Sequence, residues 1–259
     1  MSSIPSDLID NIQHMKYEQL LTKLEDCSID VLLTDPPYNI NILGVDWDKG
    51  FDLESWLNSV LPKIKQDGLV MIFNTESNVR RVIKPFVENF HDKDHNFTVV
   101  DIIDWGKTNP RENIDTVRQF EFLLIAYNNY NTSKSDRYYL GDFDPSFNNE
   151  EWQTASELKM FALDKVPVED KQGKKNKHPD PKPVRLINEL IRKYTRLDDI
   201  ILDTFSGSAS IEVSSYYMSR HFIACEMEEK YIKVALKRLE RVKKTVPRSL
   251  FLGGDDDEI

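Results

Sequence analysis

Residues Ile29–Thr34 are apolar almost throughout and stop abruptly at Asp35-Pro36-Pro37-Tyr38. This is the pattern of a buried parallel strand ending in a functional loop. Residues 53–64 have helical spacing, 68–73 read as a second buried strand, and 77–90 alternate apolar and basic positions at helical period. Strand, helix and strand in that order are βαβ grammar. Two further strands, 97–105 and 120–127, are joined by the polar loop 106–118 and are expected to pair antiparallel. Beyond residue 127 the periodicity fades. Residues 128–177 are polar with interleaved Tyr130, Tyr138, Tyr139, Phe143, Phe147 and Trp152, and they end in a lysine run. Regular patterning returns with a helix at 183–194, where Leu186, Leu190 and Ile191 share a face. A strand at 200–202, a helix at 209–218, a strand at 221–225 and a helix at 228–243 follow. No internal repeat is visible.

The expectation is a Rossmann-like, doubly wound α/β sheet, mostly parallel with one antiparallel strand near 120–127. One catalytic domain comprises residues 1–127 and 178–250. A small inserted module spans 128–177, and residues 251–259 are an acidic tail in which Asp255, Asp256, Asp257 and Glu258 follow Gly253 and Gly254. A chain of 259 residues with 40% hydrophobic content can bury one large core. Its longest apolar runs fall far short of the roughly 20 residues needed to cross a bilayer. The first ten residues lack the basic start and apolar stretch of a secretion signal, so a cytoplasmic or nucleoid-associated protein is expected. Cys27 and Cys225 are far apart, with no CxxC pair, and support neither a disulfide framework nor a zinc site.

The net charge of −10 weighs against nucleic-acid binding unless the basic residues are segregated. Lys171, Lys174, Lys175, Lys177 and Lys182 cluster, as do Lys107, Arg111 and Arg118, which permits a positive face. Lys107 and Arg111 read either as phosphate contacts or as a solvated loop.

Asp35-Pro36-Pro37-Tyr38 is the sharpest chemical feature. Two prolines fix the backbone between a carboxylate and an aromatic ring. An exocyclic base amine is a poor nucleophile because its lone pair is conjugated into the ring. A carboxylate and a backbone carbonyl that accept its two N–H bonds favour a pyramidal nitrogen and free the lone pair. Stacking on Tyr38, worth ~1–3 kcal/mol per base, offsets part of the cost of taking the base out of the duplex. The plain alternative is a proline-stiffened turn with Tyr38 as packing.

The second feature runs Asp203-Thr204-Phe205-Ser206-Gly207-Ser208-Ala209-Ser210, between a strand and a helix. Gly207 lets a ligand approach the backbone, and the free N–H groups of the helix start suit a carboxylate. Glu226 lies 19 residues after Gly207 at the end of the next strand, where it can accept both hydroxyls of a ribose or stand as a solvated strand end. A nucleoside cofactor is implied. Ala209 and Glu212 occupy the later positions of a G-x-G-x-x-G pattern, which disfavours a dinucleotide.

With these motifs in order, the sequence resembles the beta group of amino-methyltransferases acting on DNA, in which the catalytic motif precedes the cofactor motif. The resemblance covers most of the chain. It rests on CSIDVLLTDPPYNI at 27–40, KTNP at 107–110, HPDPKP at 178–183, and LDTFSGSAS with the following HFIACE. It implies that Asp35, Pro36, Pro37 and Tyr38 form the target-base pocket. It implies that Asp203, Phe205, Gly207, Ser208 and Glu226 bind S-adenosylmethionine, with Lys182 and Pro183 beside it. Trp105, Lys107 and Asn109 would line the approach to the base, and Arg111 would contact DNA. Aspartate at position 35, where cytosine-N4 relatives more often carry serine, points to adenine N6. A double-stranded DNA substrate, a homodimer and a restriction partner are further expectations of the resemblance. Two departures stand out: Ala209 replaces a usual second glycine, and His14-Met15-Lys16-Tyr17 lacks the usual Gly-Asp, leaving the cofactor's adenine contacts unassigned. A cytosine-N4 or RNA methyltransferase and a catalytically silent binding module remain alternatives. The aromatics of 130–152 read as a mini-core or as stacking platforms, and His178 as a turn or capping residue.

Overall fold

The computed structural model describes residues 4–39, 49–88, 95–107, 120–128, 159–161, 167–169, 175–177 and 181–245. The chain order is β1 (Asn11–His14), α1 (Tyr17–Leu21), β2 (Ile29–Thr34), α2 (Leu53–Val60), β3 (Ile64–Asn74), α3 (Glu76–Glu88), β4 (Phe97–Lys107) and β5 (Phe120–Asn128). Then come β6 (Lys159–Phe161), β7 (Pro167–Glu169), β8 (Lys175–Lys177), α4 (Val184–Tyr194), β9 (Ile200–Asp203), α5 (Ser210–Tyr217), β10 (His221–Glu226) and α6 (Glu229–Thr245). The main sheet has the order β1-β10-β9-β2-β3-β5-β4-β6, and β7 and β8 form a separate antiparallel pair. Within the main sheet β5 is the reversed strand, antiparallel to both β3 and β4; the other pairings are parallel.

The apolar runs explain the layering. All six residues of β2 are buried, because helices cover both faces of the sheet. Successive side chains point to opposite faces, so one strand feeds two cores. Val31, Leu33, Met71, Phe73, Leu123 and Ile125 pack toward α4, α5 and α6. Leu32, Val70, Ile72 and Leu124 pack toward α1, α2 and α3. In α4 the expected face of Leu186, Leu190 and Ile191 is buried, together with Ile187 and Tyr194. The doubly wound, mostly parallel architecture expected from the sequence is the one observed.

Several boundaries differ. The single helix expected over 53–64 is α2 followed by a 3₁₀ turn, Leu61–Lys63, with Ile64 already in β3. Pro62 explains the break, since it has no N–H to continue the α-helical ladder. β1 and α1 were not expected at all. Residues Lys159–Phe161, placed by sequence inside the inserted module, form β6 and pair with the end of β4 at Trp105↔Lys159.

β2 ends where Pro36 and Pro37 remove two ladder donors in succession. β9 ends at Asp203, and the turn into α5 uses left-handed backbone at Gly207 (φ +53°) and at Ala209 (φ +64°).

Candidate active site

β2 and β9 are parallel neighbours, with Val31 opposite Ile201 and Leu32 opposite Leu202. Their carboxyl ends therefore deliver Asp35 and the Asp203–Ser208 turn to the same edge of the sheet, although the two segments are far apart in sequence. Thr34 ties them together by donating its hydroxyl to Asp203 Oδ1 at 2.7 Å. Asp203 Oδ1 also accepts from Phe205 N at 2.9 Å, which folds the turn back on itself. A cavity of about 220 Å³ lies over these ends, and its wall includes Asp35, Pro36, Pro37, Tyr38, Asp203, Phe205, Gly207, Ser208 and Glu226.

The glycine turn is held by Glu226 and Arg238, and Glu226 is itself oriented by Glu228. Gly207 N donates to Glu226 Oε2 at 2.8 Å, Glu228 N donates to Glu226 Oε1 at 2.7 Å, and the Arg238 guanidinium donates to Ser208 O at 2.6 Å. Glu226 thus has both oxygens oriented by backbone, and each keeps a second lone pair for a diol. Burial raises its pKa above the usual carboxylate value. Among the described residues, the Ser206 and Ser210 hydroxyls are buried in the cavity wall without a well-formed hydrogen bond. The donor set therefore fits a zwitterionic nucleoside: hydroxyl donors, a helix N-terminus and a diol acceptor in one cavity.

Beneath the turn lie two buried carboxyls. Burial pushes Asp203 up to about 7, against the opposing bonds from Thr34 and Phe205. Glu212, wholly buried on α5, is driven well above the carboxylate range by burial and then by Asp203. Its oxygens lack a well-aligned partner, though Asp203 and Ser206 stand near enough to influence its proton. The two carboxyls share a site in which both cannot be charged at low cost.

At the other end of the cavity Asp35 is already engaged. Tyr38 donates its hydroxyl to Asp35 Oδ1 at 2.5 Å, and Lys182 Nζ lies 2.6 Å from Asp35 Oδ2. The same ammonium sits over the rings of Tyr38 and Phe73, 5.3 Å from each centroid, and 3.1 Å from Glu121 Oε2.

A family model described as DNA methylase, covering N6 and N4 methyltransferases, matches residues 29–237. The chain belongs to this DNA methylase family. Curated relatives include the type II methyltransferase M2.MboI of Moraxella bovis, 27% identical over 90% of this chain and 88% of that protein. M2.DpnII of Streptococcus pneumoniae is 28% identical over 90% of each. In fold the methylase resembles the M1.HpyAVI–SAM complex, 26% identical with a TM-score of 0.60, covering 88% of this chain and 98% of that one. PvuII DNA methyltransferase, a cytosine-N4-specific enzyme, matches in fold alone at 16% identity and a TM-score of 0.61, over 95% and 93% of the two chains. The methylase is an S-adenosylmethionine-dependent DNA methyltransferase.

Not every residue singled out from the sequence reaches the methylase cavity. Pro183 caps the start of α4 and is buried behind Lys182. Trp105 is buried in the core, its indole N–H unpartnered among the described residues. Lys107 is buried too and bonds Glu121, so in this state its charge serves a carboxylate rather than a phosphate. Lys182 does form part of the cavity wall but is almost wholly buried, so these two lysines do not contribute to the positive face that the sequence permits. Asn109, Arg111, Arg118, His178, the aromatics from Tyr130 to Trp152, Lys171, Lys174 and the 251–259 tail lie outside the described residues.

Sequence reasoning missed the near wall, built by Met15, Lys16, Tyr17 and Glu18 at the β1–α1 turn, with Phe51 and Tyr231. Tyr17, Phe51, Trp56 and Phe205 form an aromatic cluster of tilted and edge-on ring pairs with centroids 5.3–6.3 Å apart. Burial, reinforced by Glu18, raises Tyr17 to about 12, so its hydroxyl stays a donor.

Proposed function

We propose that this methylase modifies the N6 nitrogen of adenine in double-stranded DNA, with Asp35-Pro36-Pro37-Tyr38 as the target-base pocket. The observation that carries the reading is the single cavity shared by Asp35 and the Gly207 turn at the ends of paired strands. Asp203, Phe205, Gly207, Ser208 and Glu226 would hold S-adenosylmethionine, Glu226 through the ribose and the serines through the methionine end. When bound, S-adenosylmethionine supplies a methyl group on a sulfonium centre. Asp35 Oδ1 and the Pro36 carbonyl accept the two amine hydrogens, which frees the nitrogen lone pair. The Tyr38 ring stacks on the base that has left the duplex. The aspartate at position 35 supports adenine over cytosine.

The segment between β5 and α4 supplies recognition of the DNA site, and Asn109 and Arg111, which fall between β4 and β5 in the sequence, contribute contacts on the approach to the base. The names of the type II relatives support a place in a restriction-modification pair, and a homodimer would present two such segments to one duplex.

Radiolabelled methyl transfer to unmethylated genomic DNA, followed by nucleoside analysis, tests this reading. Label in N6-methyladenine is the expected result; label in N4-methylcytosine, or no label, contradicts it.

A further inference from the structure

Four charged side chains run from the sheet interior to the cavity in alternating sign. Lys107 bonds Glu121 Oε1, Lys182 Nζ lies 3.1 Å from Glu121 Oε2, and the same Nζ lies 2.6 Å from Asp35 Oδ2. The side chains of Lys107, Glu121 and Lys182 are 7%, 5% and 3% exposed, while that of Asp35 is 24% exposed. The chain of charges is neutral overall, and its open end is the carboxylate proposed to hold the target amine. Lys107 and Glu121 form no part of the cavity wall.

Stability alone is a weak reason for such an arrangement. Desolvating buried ions can cost more than their attraction returns, and apolar replacements of buried ion pairs are often neutral or stabilising. Geometry offers a better reason. A carboxylate on a short side chain can rotate, and an amine acceptor must not. With Oδ2 fixed by Lys182, Oδ1 is the oxygen left facing Tyr38 and the base. Lys182 in turn is fixed because Glu121, on the reversed strand β5, anchors its ammonium from the other side. The contact with Glu121 Oε2 lacks hydrogen-bond alignment, so it acts through charge. An ammonium already held between two carboxylates and 3% exposed has little to offer a cofactor.

We infer that Glu121 is a positioning residue for methyl transfer, acting through Lys182 to orient Asp35. It affects the transfer step rather than the binding of cofactor or DNA. The inference rests on Asp35 being the amine acceptor.

The test is Glu121→Gln in the full chain, measured with S-adenosylmethionine and unmethylated duplex DNA. A loss of about tenfold or more in the single-turnover transfer rate is expected, with both dissociation constants within about threefold of the parent. A merely structural role would not split rate from binding in this way. If Glu121→Gln lowers the folded fraction, the Lys107→Met/Glu121→Gln pair removes one charge of each sign and keeps the interior neutral. The same rate loss is expected from it, because Lys182 still lacks its second anchor. A transfer rate within about threefold of the parent in either folded variant overturns the inference. So does a weakened cofactor affinity with an intact rate at saturation, which would make the cluster a binding element. Asp35→Ala in parallel separates the two failures. If it is inactive while Glu121→Gln is fully active, only this inference falls; if Asp35→Ala is itself active, the reading of Asp35 falls and takes the inference with it.

Discussion

Thr34 donates its hydroxyl to Asp203 Oδ1 at 2.7 Å, joining residues 169 positions apart at the ends of two paired strands. That bond links the segment proposed to hold the target base to the turn proposed to hold the cofactor. Thr34→Val keeps the shape and leaves a buried acceptor short of one donor, which should cost ~1–3 kcal/mol of stability. Chemical denaturation checks this, and cofactor affinity should fall with it, because Asp203 also anchors Phe205 N.

Glu226 takes one backbone N–H on each carboxylate oxygen, from Gly207 and Glu228. Glu226→Gln replaces one acceptor with a donor, which then faces an N–H group, and it removes the charge that a ribose diol would meet. At ~1.5–3 kcal/mol for hydrogen bonds to a charged group, S-adenosylmethionine should bind ~10- to 150-fold more weakly by calorimetry.

Asp203 and Glu212 give stability a definite pH dependence. Folding raises Asp203 from 3.8 to about 7 and Glu212 well above its ordinary value. Carboxyls raised on folding contribute most at acid pH, below their unfolded values. The contribution is lost as pH rises through the folded values, because the unfolded chain ionises first. Between pH 4 and pH 7 this pair therefore makes the protein progressively less stable. Glu212→Gln removes the titration of the group that burial and Asp203 hold well above the carboxylate range. It should flatten the slope and raise Tm at pH 8, as thermal unfolding across that range will show.

Tyr38 has a ring and a hydroxyl with separable roles. Tyr38→Phe loses the bond to Asp35 Oδ1 but keeps the ring, and it should keep most of the activity. Tyr38→Ala also loses the stacking surface, so kcat/KM toward DNA should fall ~5- to 150-fold, the equivalent of ~1–3 kcal/mol. Equal losses in the two variants would assign the effect to the hydroxyl.

The legibility of the chain followed burial. β2, β3, β5, β9 and β10 are covered on both faces, so their apolar runs stood out, and the two motifs sat at their ends. β1 has a single buried position, Ile12, among four residues, and α1 is five residues long. Neither is long enough for a period to show, so the wall at Met15–Glu18 went unseen. The interior lysines were misjudged because a lysine in a polar sequence reads as solvated. The missing signal was their partner: Glu121 stands alone as a carboxylate in the otherwise apolar run of Phe120–Tyr127, and an acid in a buried strand demands a cation. Ala209 looked like a departure from the glycine-rich pattern. Its left-handed backbone shows that the turn still takes the conformation glycine favours, at a cost of about 1–2 kcal/mol for a residue with a side chain.

The proposed methyl transfer depends most directly on Asp35. Asp35→Ala should bind S-adenosylmethionine within a few-fold of the parent by calorimetry, because the Gly207 turn and Glu226 are untouched. In the same preparation, label transfer to duplex DNA should fall below detection. Transfer at a rate comparable to the parent's, with cofactor bound normally, would contradict the assignment of the reacting amine to this carboxylate.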